Sequence, residues 1–126
     1  MNLRAPLATV LGHGSAKSGS HHWWVQRLTA VALVPLTLWF VFALLELPLD
    51  NYQTMRVWIA SGWTALWLIL LLAVVSWHSY LGVQVIVEDY VPAKGIKLAT
   101  LLAAGAVHWL AAAAGSFAVL KIALQS

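Results

Sequence analysis

A single histidine lies inside a long apolar stretch of this chain. His78 falls in the segment from Val57 to Val87, which contains no Asp, Glu, Lys or Arg. Such a segment can cross a bilayer, because about 20 apolar residues suffice. An imidazole at that depth loses its water and needs a partner, which makes it a candidate functional group. A neutral imidazole is a good iron ligand, and the alternative is a histidine hydrogen-bonded to a neighbouring helix.

The helical spacing around His78 extends the candidate site. Eleven steps of about 100° return almost to the starting direction, so one stripe of the helix carries His78, Gly82, Val85 and Asp89. Gly82 lies one turn from the histidine and leaves room for a flat macrocycle to approach. Ser79 or a backbone carbonyl is expected to bind the second ring nitrogen and fix its tautomer.

An acid and a phenol stand together at the polar end of the same segment. Asp89 can accept a hydrogen bond or deliver a proton, and Tyr90 can donate a hydrogen bond. The pair could therefore orient and protonate a carbonyl compound dissolved in the lipid. The alternative is an ordinary polar helix end before a turn at Pro92.

Four more polar side chains are candidates for the same region. Arg27, at the start of an apolar segment, could pair with a propionate or a quinone oxygen, or simply anchor the helix at the membrane surface. His21 and His22 stand six and five residues before Arg27 and are either part of the site or solvated. His108 could meet a cofactor, but a packing hydrogen bond is the favoured interpretation.

The composition indicates a membrane protein. Of 126 residues, 62% are hydrophobic and 9% are charged, whereas an average soluble chain is about 25% charged. The absence of cysteine excludes disulfides and thiolate-held iron–sulfur clusters. A net charge of +3 without a basic cluster argues against nucleic-acid binding.

Hydropathy predicts an all-α protein with three membrane-spanning helices. The spans are expected at about residues 28–47, 57–87 and 98–120, within a membrane domain of residues 27–126 that follows an N-terminal tail and interfacial segment of residues 1–26. Short loops make sequential helices antiparallel neighbours. Three helices form a thin bundle, so the chain is predicted to be a subunit of a larger assembly.

Three further expectations concern the shape and orientation of this bundle. Pro35 is expected to kink the first span. Small residues of the third span, such as Gly105 and Gly115, are expected to allow close helix packing. Of the seven Lys and Arg residues, five lie on the side of the N-terminus and second loop. This side is therefore predicted to be cytoplasmic in a bacterial inner membrane, with a mitochondrial inner membrane as the alternative.

Two motifs of the chain resemble those of one family. The spacing of His78, Gly82 and Asp89-Tyr90 is similar to the H-x3-G-x6-D-Y pattern of the D-type cytochrome b membrane anchor of succinate dehydrogenase (complex II). The stretch Gln26-Arg27-Leu28-Thr29-Ala30 resembles the R-x-T-A motif at the start of that family's first span. The resemblance covers nearly the whole chain, since the number of spans and the length also agree.

The resemblance implies a role for each matching residue. His78 would be the axial ligand of haem b, and Arg27 would lie near the haem propionates or the quinone. His21 aligns less securely with a histidine near the propionates. Tyr90 would hydrogen-bond a ubiquinone carbonyl, with Asp89 supporting the quinone site.

The function implied is that of a non-catalytic anchor of a quinone-reducing enzyme complex in the tricarboxylic acid cycle and the electron-transport chain. Its partners would be a second anchor subunit of the C type, an iron–sulfur subunit and a flavoprotein, and the two anchors would form a heterodimeric haem-binding bundle within the lipid. The chain itself lacks a dinucleotide fingerprint. Three alternatives stay open: an anchor of a quinol:fumarate reductase, an unrelated b-type cytochrome, and a non-redox membrane subunit in which His78 only packs.

Overall fold

The structure, a computed structural model, describes residues 16–125, and these form helices without any strand. In chain order the helices are α1 (Ala16–Glu46), α2 (Tyr52–Ala60), α3 (Gly62–Tyr90) and α4 (Lys94–Leu124). Helices α1, α3 and α4 are long and apolar enough to cross a membrane. The prediction of an all-α membrane protein with three spans is therefore confirmed.

Helix α1 begins well before the predicted span. It has 31 residues, about 46 Å of helix, which exceeds the roughly 30 Å hydrocarbon core. His21 and Arg27 therefore lie on the same helix as the span predicted from about residue 28, and that helix extends beyond the predicted span at its N-terminal end. Pro35 lies inside α1 without ending it, as membrane helices tolerate. Residues 1–15 of the predicted tail lie outside the described residues.

The second predicted span, at about 57–87, is divided near its start, because its first residues belong to α2 and the rest to α3. Ser61 leaves the helical region with ψ 126°, and its N–H donates to the carbonyls of Val57 and Trp58, which ends α2. The short helix α2 itself begins inside the predicted first loop. There the Asn51 side chain accepts a hydrogen bond from the Thr54 N–H at 3.0 Å, as an N-cap.

The second loop is also shorter than predicted, because only residues 91–93 separate α3 from α4. The Val91 N–H still donates to the Val87 carbonyl at 3.1 Å, but Pro92 has no N–H with which to continue the helix. The Lys97 ammonium donates to the Glu88 carbonyl at 2.8 Å and ties the start of α4 to the end of α3. Helices α3 and α4 are therefore joined by a tight turn.

Small residues bring α4 close to α3, as the sequence predicted. A Cβ atom added to Gly105 would lie 3.5 Å from the Tyr80 ring, and one added to Gly115 would lie 3.0 Å from Leu72 Cδ1. Ala112, between these glycines, is buried. Close backbone approach through small residues is the usual means of helix association in lipid.

An aromatic cluster joins α1, α2 and α3 at the end of the bundle near Ser61. The Trp39 ring of α1 lies 6.1 Å from the Trp58 ring of α2 and 5.9 Å from the Trp67 ring of α3, measured between centroids. Stacked and tilted aromatic pairs at such distances stabilise packing beyond the area they bury. The cluster holds α2 against the two long helices.

Most apolar side chains of the bundle are not covered by the chain itself. Among the described residues only seven are buried: Leu36, Thr64, Ala65, Leu68, Leu81, Val87 and Ala112. Large side chains such as Val31, Leu45 and Leu110 are 70% or more exposed. Surface of this kind must lie against lipid or another helical chain.

The α3–α4 contact yields a stability prediction. Gly115→Val should lower the thermal stability of the purified protein in detergent, at a cost of about 1–3 kcal/mol, because the larger side chain collides with Leu72. Gly95→Val is the matched control, since nothing lies within 4 Å of a Cβ at Gly95. Equal unfolding temperatures for the two variants would contradict the packing described.

Candidate functional site

His78 is held by a residue of the first helix. Its Nδ1 atom lies 2.9 Å from the Thr29 hydroxyl, and the contact joins α3 to α1. Both side chains are half-buried. Together with the contact between the Trp39 and Trp67 rings, this hydrogen bond favours one rotation of α1 against α3.

The surroundings of Thr29 favour one tautomer of His78. The Thr29 hydroxyl also lies 2.9 Å from the Val25 carbonyl and 3.0 Å from the Gln26 carbonyl. Carbonyls only accept, so the single hydroxyl proton donates to them in the common back-bonded arrangement of helical threonines. His78 Nδ1–H then donates to the hydroxyl oxygen. This leaves Nε2 with a free lone pair, the state in which an imidazole binds a metal ion.

Ser79 does not hold His78, contrary to the sequence-based expectation. Its hydroxyl lies 3.0 Å from His108 Nε2, while His108 Nδ1 lies 2.7 Å from the Ala104 carbonyl. Ser79 points elsewhere because neighbouring residues of a helix are about 100° apart. Both ring nitrogens of His108 have partners, so the favoured interpretation of His108 as a packing residue is confirmed.

His78 lines an open groove between α1 and α3, here called the His78 groove. Its volume is about 440 Å³, within the roughly 300–1,000 Å³ typical of ligand sites. The other lining residues all belong to α1, and they are Ala30, Leu33, Val34, Thr37 and Leu38. The groove is thus an apolar wall with an imidazole at its edge, suited to a flat apolar molecule that offers a metal ion.

Arg27 lies on the same side of α1 as the lining residues Ala30 and Val34, one turn nearer the N-terminus. Its guanidinium carbon lies 4.8 Å above the Trp23 ring. A cation over an indole face is held electrostatically. The exposed guanidinium can therefore meet an anionic group at the surface end of the groove.

The side chains of His22 and Gln26 face α3, on the same side of α1 as Thr29. His22, Gln26 and Thr29 occupy positions i, i+4 and i+7 of α1 and share one stripe. Among the described residues, no hydrogen-bond partner reaches the buried His22 Nε2 or Gln26 Oε1. A Cβ on Gly82 would lie 3.9 Å from Gln26 Nε2, so this stripe faces the stripe of His78. The polar spacing on an apolar helix was the signal that could have revealed it.

The other predicted site residues lie at the surface end of the bundle. His21 is exposed on α1. Asp89 is exposed and keeps the stripe of His78, about 16 Å along the axis from it. Tyr90 is the last residue of α3 and is 81% exposed. It is turned about 100° from Asp89 on an ideal helix, so the pair does not share a single face.

The helices define a membrane protein with three spans and an open groove lined by His78. Residues 1–119 match the family model described as succinate dehydrogenase/fumarate reductase transmembrane subunit. The chain therefore belongs to this family, and it is a membrane anchor of the succinate dehydrogenase type.

Individual relatives carry the same description. The succinate dehydrogenase hydrophobic membrane anchor subunit of Rickettsia bellii is 35% identical over 105 residues, covering 81% of this chain and 82% of the relative. That of Paracoccus denitrificans is 25% identical over 124 residues, covering 98% and 95%. The succinate dehydrogenase membrane anchor subunit of Reclinomonas americana is 27% identical over 88 residues, covering 68% and 73%.

The Thr29 contact makes a prediction about the protonation of the imidazole. In the purified protein, nitrogen NMR of labelled histidine should show His78 protonated on Nδ1 and not on Nε2. Thr29→Val removes the acceptor with little change of shape and should abolish this preference, whereas Thr29→Ser should keep it. A Thr29→Val spectrum identical to that of the unaltered protein would contradict the hydrogen bond.

Proposed function

We propose that this chain is the anchor subunit of a succinate:quinone oxidoreductase in which His78 binds the iron of haem b and the surface end of α3 binds ubiquinone. The observation that carries the proposal is the state of His78, because Thr29 occupies one ring nitrogen at 2.9 Å and the other is left to a ligand. The relatives named succinate dehydrogenase favour the direction of succinate oxidation over fumarate reduction.

The residues present fit a haem group. The imidazole supplies an axial ligand at the edge of the His78 groove, and the α1 wall is apolar, as a porphyrin face requires. Haem b, when bound, supplies a one-electron redox centre within the bundle. Thr29 holds the imidazole ring in place and raises the basicity of its free nitrogen, as hydrogen bonds to ligand histidines commonly do.

The carboxylates of the group would lie toward the surface end of the groove. Arg27 is already oriented there by the Trp23 ring, so little side-chain entropy is lost when its guanidinium binds an anion. His21 is exposed on the adjacent side of α1, and its role near a propionate rests on the resemblance alone. Neither residue is paired with a carboxylate among the described residues, which leaves both available.

Quinone binding falls to the last turn of α3. The Tyr90 hydroxyl is exposed and can donate a hydrogen bond to a carbonyl oxygen, which strengthens as negative charge develops there. Asp89, which has no hydrogen-bond partner among the described residues, can accept a proton from water and pass it on. Asp89 and Tyr90 are about 100° apart around the axis of α3. A quinone that contacts both side chains would therefore lie across the end of the helix.

The assembly follows from the uncovered surface. A second anchor subunit would cover the exposed faces of α1 and α3 and complete the haem site beside His78. An iron–sulfur subunit and a flavoprotein would bind at the surface that carries Tyr90, where electrons reach the quinone. This surface would be cytoplasmic, in a bacterial inner membrane, because it carries the larger number of Lys and Arg residues.

Haem binding by His78 has a direct spectroscopic test. The purified complex should show a b-type band in a reduced-minus-oxidised spectrum, and His78→Ala should lose it because the ligand nitrogen is gone. His108→Gln is the matched control, since His108 is also within the membrane but its ring nitrogens contact Ser79 and Ala104. A band that survives His78→Ala, or is absent from the unaltered complex, would overturn the assignment.

The role of Tyr90 is tested by kinetics. Tyr90→Phe should slow quinone reduction about tenfold or more, since one hydrogen bond to a charge-developing oxygen is lost. Reduction of a soluble dye by the same complex should stay normal. Tyr80→Phe is the control, because the Tyr80 ring packs on Gly105 and lies away from the helix end. Equal quinone rates for the two variants would rule out the proposed contact.

A further inference from the structure

Two cations from distant parts of the chain meet in one pocket at the end of the bundle opposite Tyr90. Arg56 lies on α2 and Lys121 lies on the last turns of α4. The pocket, here called the basic pocket, has a volume of about 420 Å³. Its lining residues are Tyr52, Arg56, Ala118, Lys121, Ile122 and Gln125.

The positive charge of this pocket is not neutralised by described residues. The Arg56 Nη2 atom donates to the Gln125 carbonyl at 3.3 Å, a contact that holds α2 against the end of α4. This uses one of the five donors of a guanidinium. Lys121 has no hydrogen bond or ion pair within residues 16–125, and neither Glu46 nor Asp50, the acids at this end, lines the pocket.

The position of these cations goes against the charge bias of the chain. Five of the seven Lys and Arg residues lie at the other end, and Arg56 and Lys121 are the remaining two. Loops on this side of a membrane protein usually carry few cations. Both line one pocket in which no described residue supplies a counter-ion, and a shared anionic ligand would offset the repulsion between two like charges.

We propose that the basic pocket binds the phosphodiester of an anionic phospholipid. The pocket lies at the ends of membrane-spanning helices, which is the level of the headgroups. Arg56 and Lys121 would bind the phosphate oxygens, and the Tyr52 hydroxyl can donate a further hydrogen bond. Ala118 and Ile122 supply an apolar wall beside the cations, and Ala118 lies about one turn nearer the middle of α4 than Lys121, on the side where an acyl chain would enter the hydrocarbon.

A lipid is favoured over a free phosphate because the pocket combines cations with this apolar wall. A free anion would gain nothing from Ala118 and Ile122, whereas a phospholipid fills both parts of the pocket. The site is independent of His78 and of the quinone, since it lies at the opposite end of the bundle. The lipid proposal can therefore hold even if the haem and quinone proposals are wrong. Equally, the haem and quinone proposals can hold if the lipid proposal is wrong.

The experiment measures lipid binding to the purified complex after delipidation. Phosphatidylglycerol and phosphatidylcholine are titrated separately, and bound lipid is counted by native mass spectrometry. The unaltered complex should bind phosphatidylglycerol more tightly. Lys121→Gln should weaken that binding about tenfold, the loss expected for one charge-assisted contact, and the variant with both Lys121→Gln and Arg56→Gln should lose the preference.

Two controls keep the test specific. Lys94→Gln removes the same charge at the opposite end and should leave phosphatidylglycerol binding unchanged, while Lys121→Arg keeps the charge in the pocket and should retain it. The proposal is overturned if Lys94→Gln weakens binding as much as Lys121→Gln, or if inorganic phosphate displaces the lipid and binds equally well. It is also overturned if Lys121→Gln releases another subunit, because the pocket would then be a protein interface.

Discussion

The hydrogen bond between Thr29 and His78 is the contact on which the proposed haem site depends. In a bilayer the backbone satisfies itself within each helix, and a polar side chain has no water to turn to. An imidazole in α3 must therefore find a partner on a neighbouring helix. The Thr29 hydroxyl at 2.9 Å fulfils this need, and the other ring nitrogen stays without a protein donor or acceptor among the described residues.

This contact also favours one rotation of α1 among those that packing allows. When Thr29 faces His78, Gln26 and His22 of the same stripe face α3, and the apolar residues around Val34 form the wall of the groove. A second pair, Ser79 and His108, fixes α4 in the same way from the other side of α3. Interhelical hydrogen bonds in membranes contribute only about 0.6–2 kcal/mol each, so their main effect here is to select one orientation.

The bundle is at the same time incomplete. Gly105 and Gly115 allow close contact between α3 and α4, and α1 packs through Leu36 and Trp39, yet most large apolar side chains stay exposed. The groove beside His78 has a wall from α1 but no opposite wall from residues 16–125. The described residues leave both the apolar surface and the His78 groove open to a neighbouring molecule. The family to which the chain belongs consists of transmembrane subunits, which agrees with that description.

Much of the fold follows from local features of the sequence. An apolar run of sufficient length predicts a span wherever it occurs, and helical periodicity places Asp89 on the stripe of His78 without knowledge of packing. The break at Ser61 escaped this reasoning because hydropathy is continuous through it, although Asn51 carried an N-cap signal for α2. The early start of α1 escaped it because polar residues continue a helix beyond the hydrocarbon.

The sequence by itself determined the membrane class, the number of spans and the isolated imidazole, since each depends on composition or on spacing within one segment. Only the tertiary structure decided that Thr29 and not Ser79 binds His78, and that Arg56 and Lys121 share a pocket. The physical reason is that such contacts depend on how one helix is rotated and displaced against another. That arrangement is set by the sum of many weak packing contacts between helices, which no single segment contains.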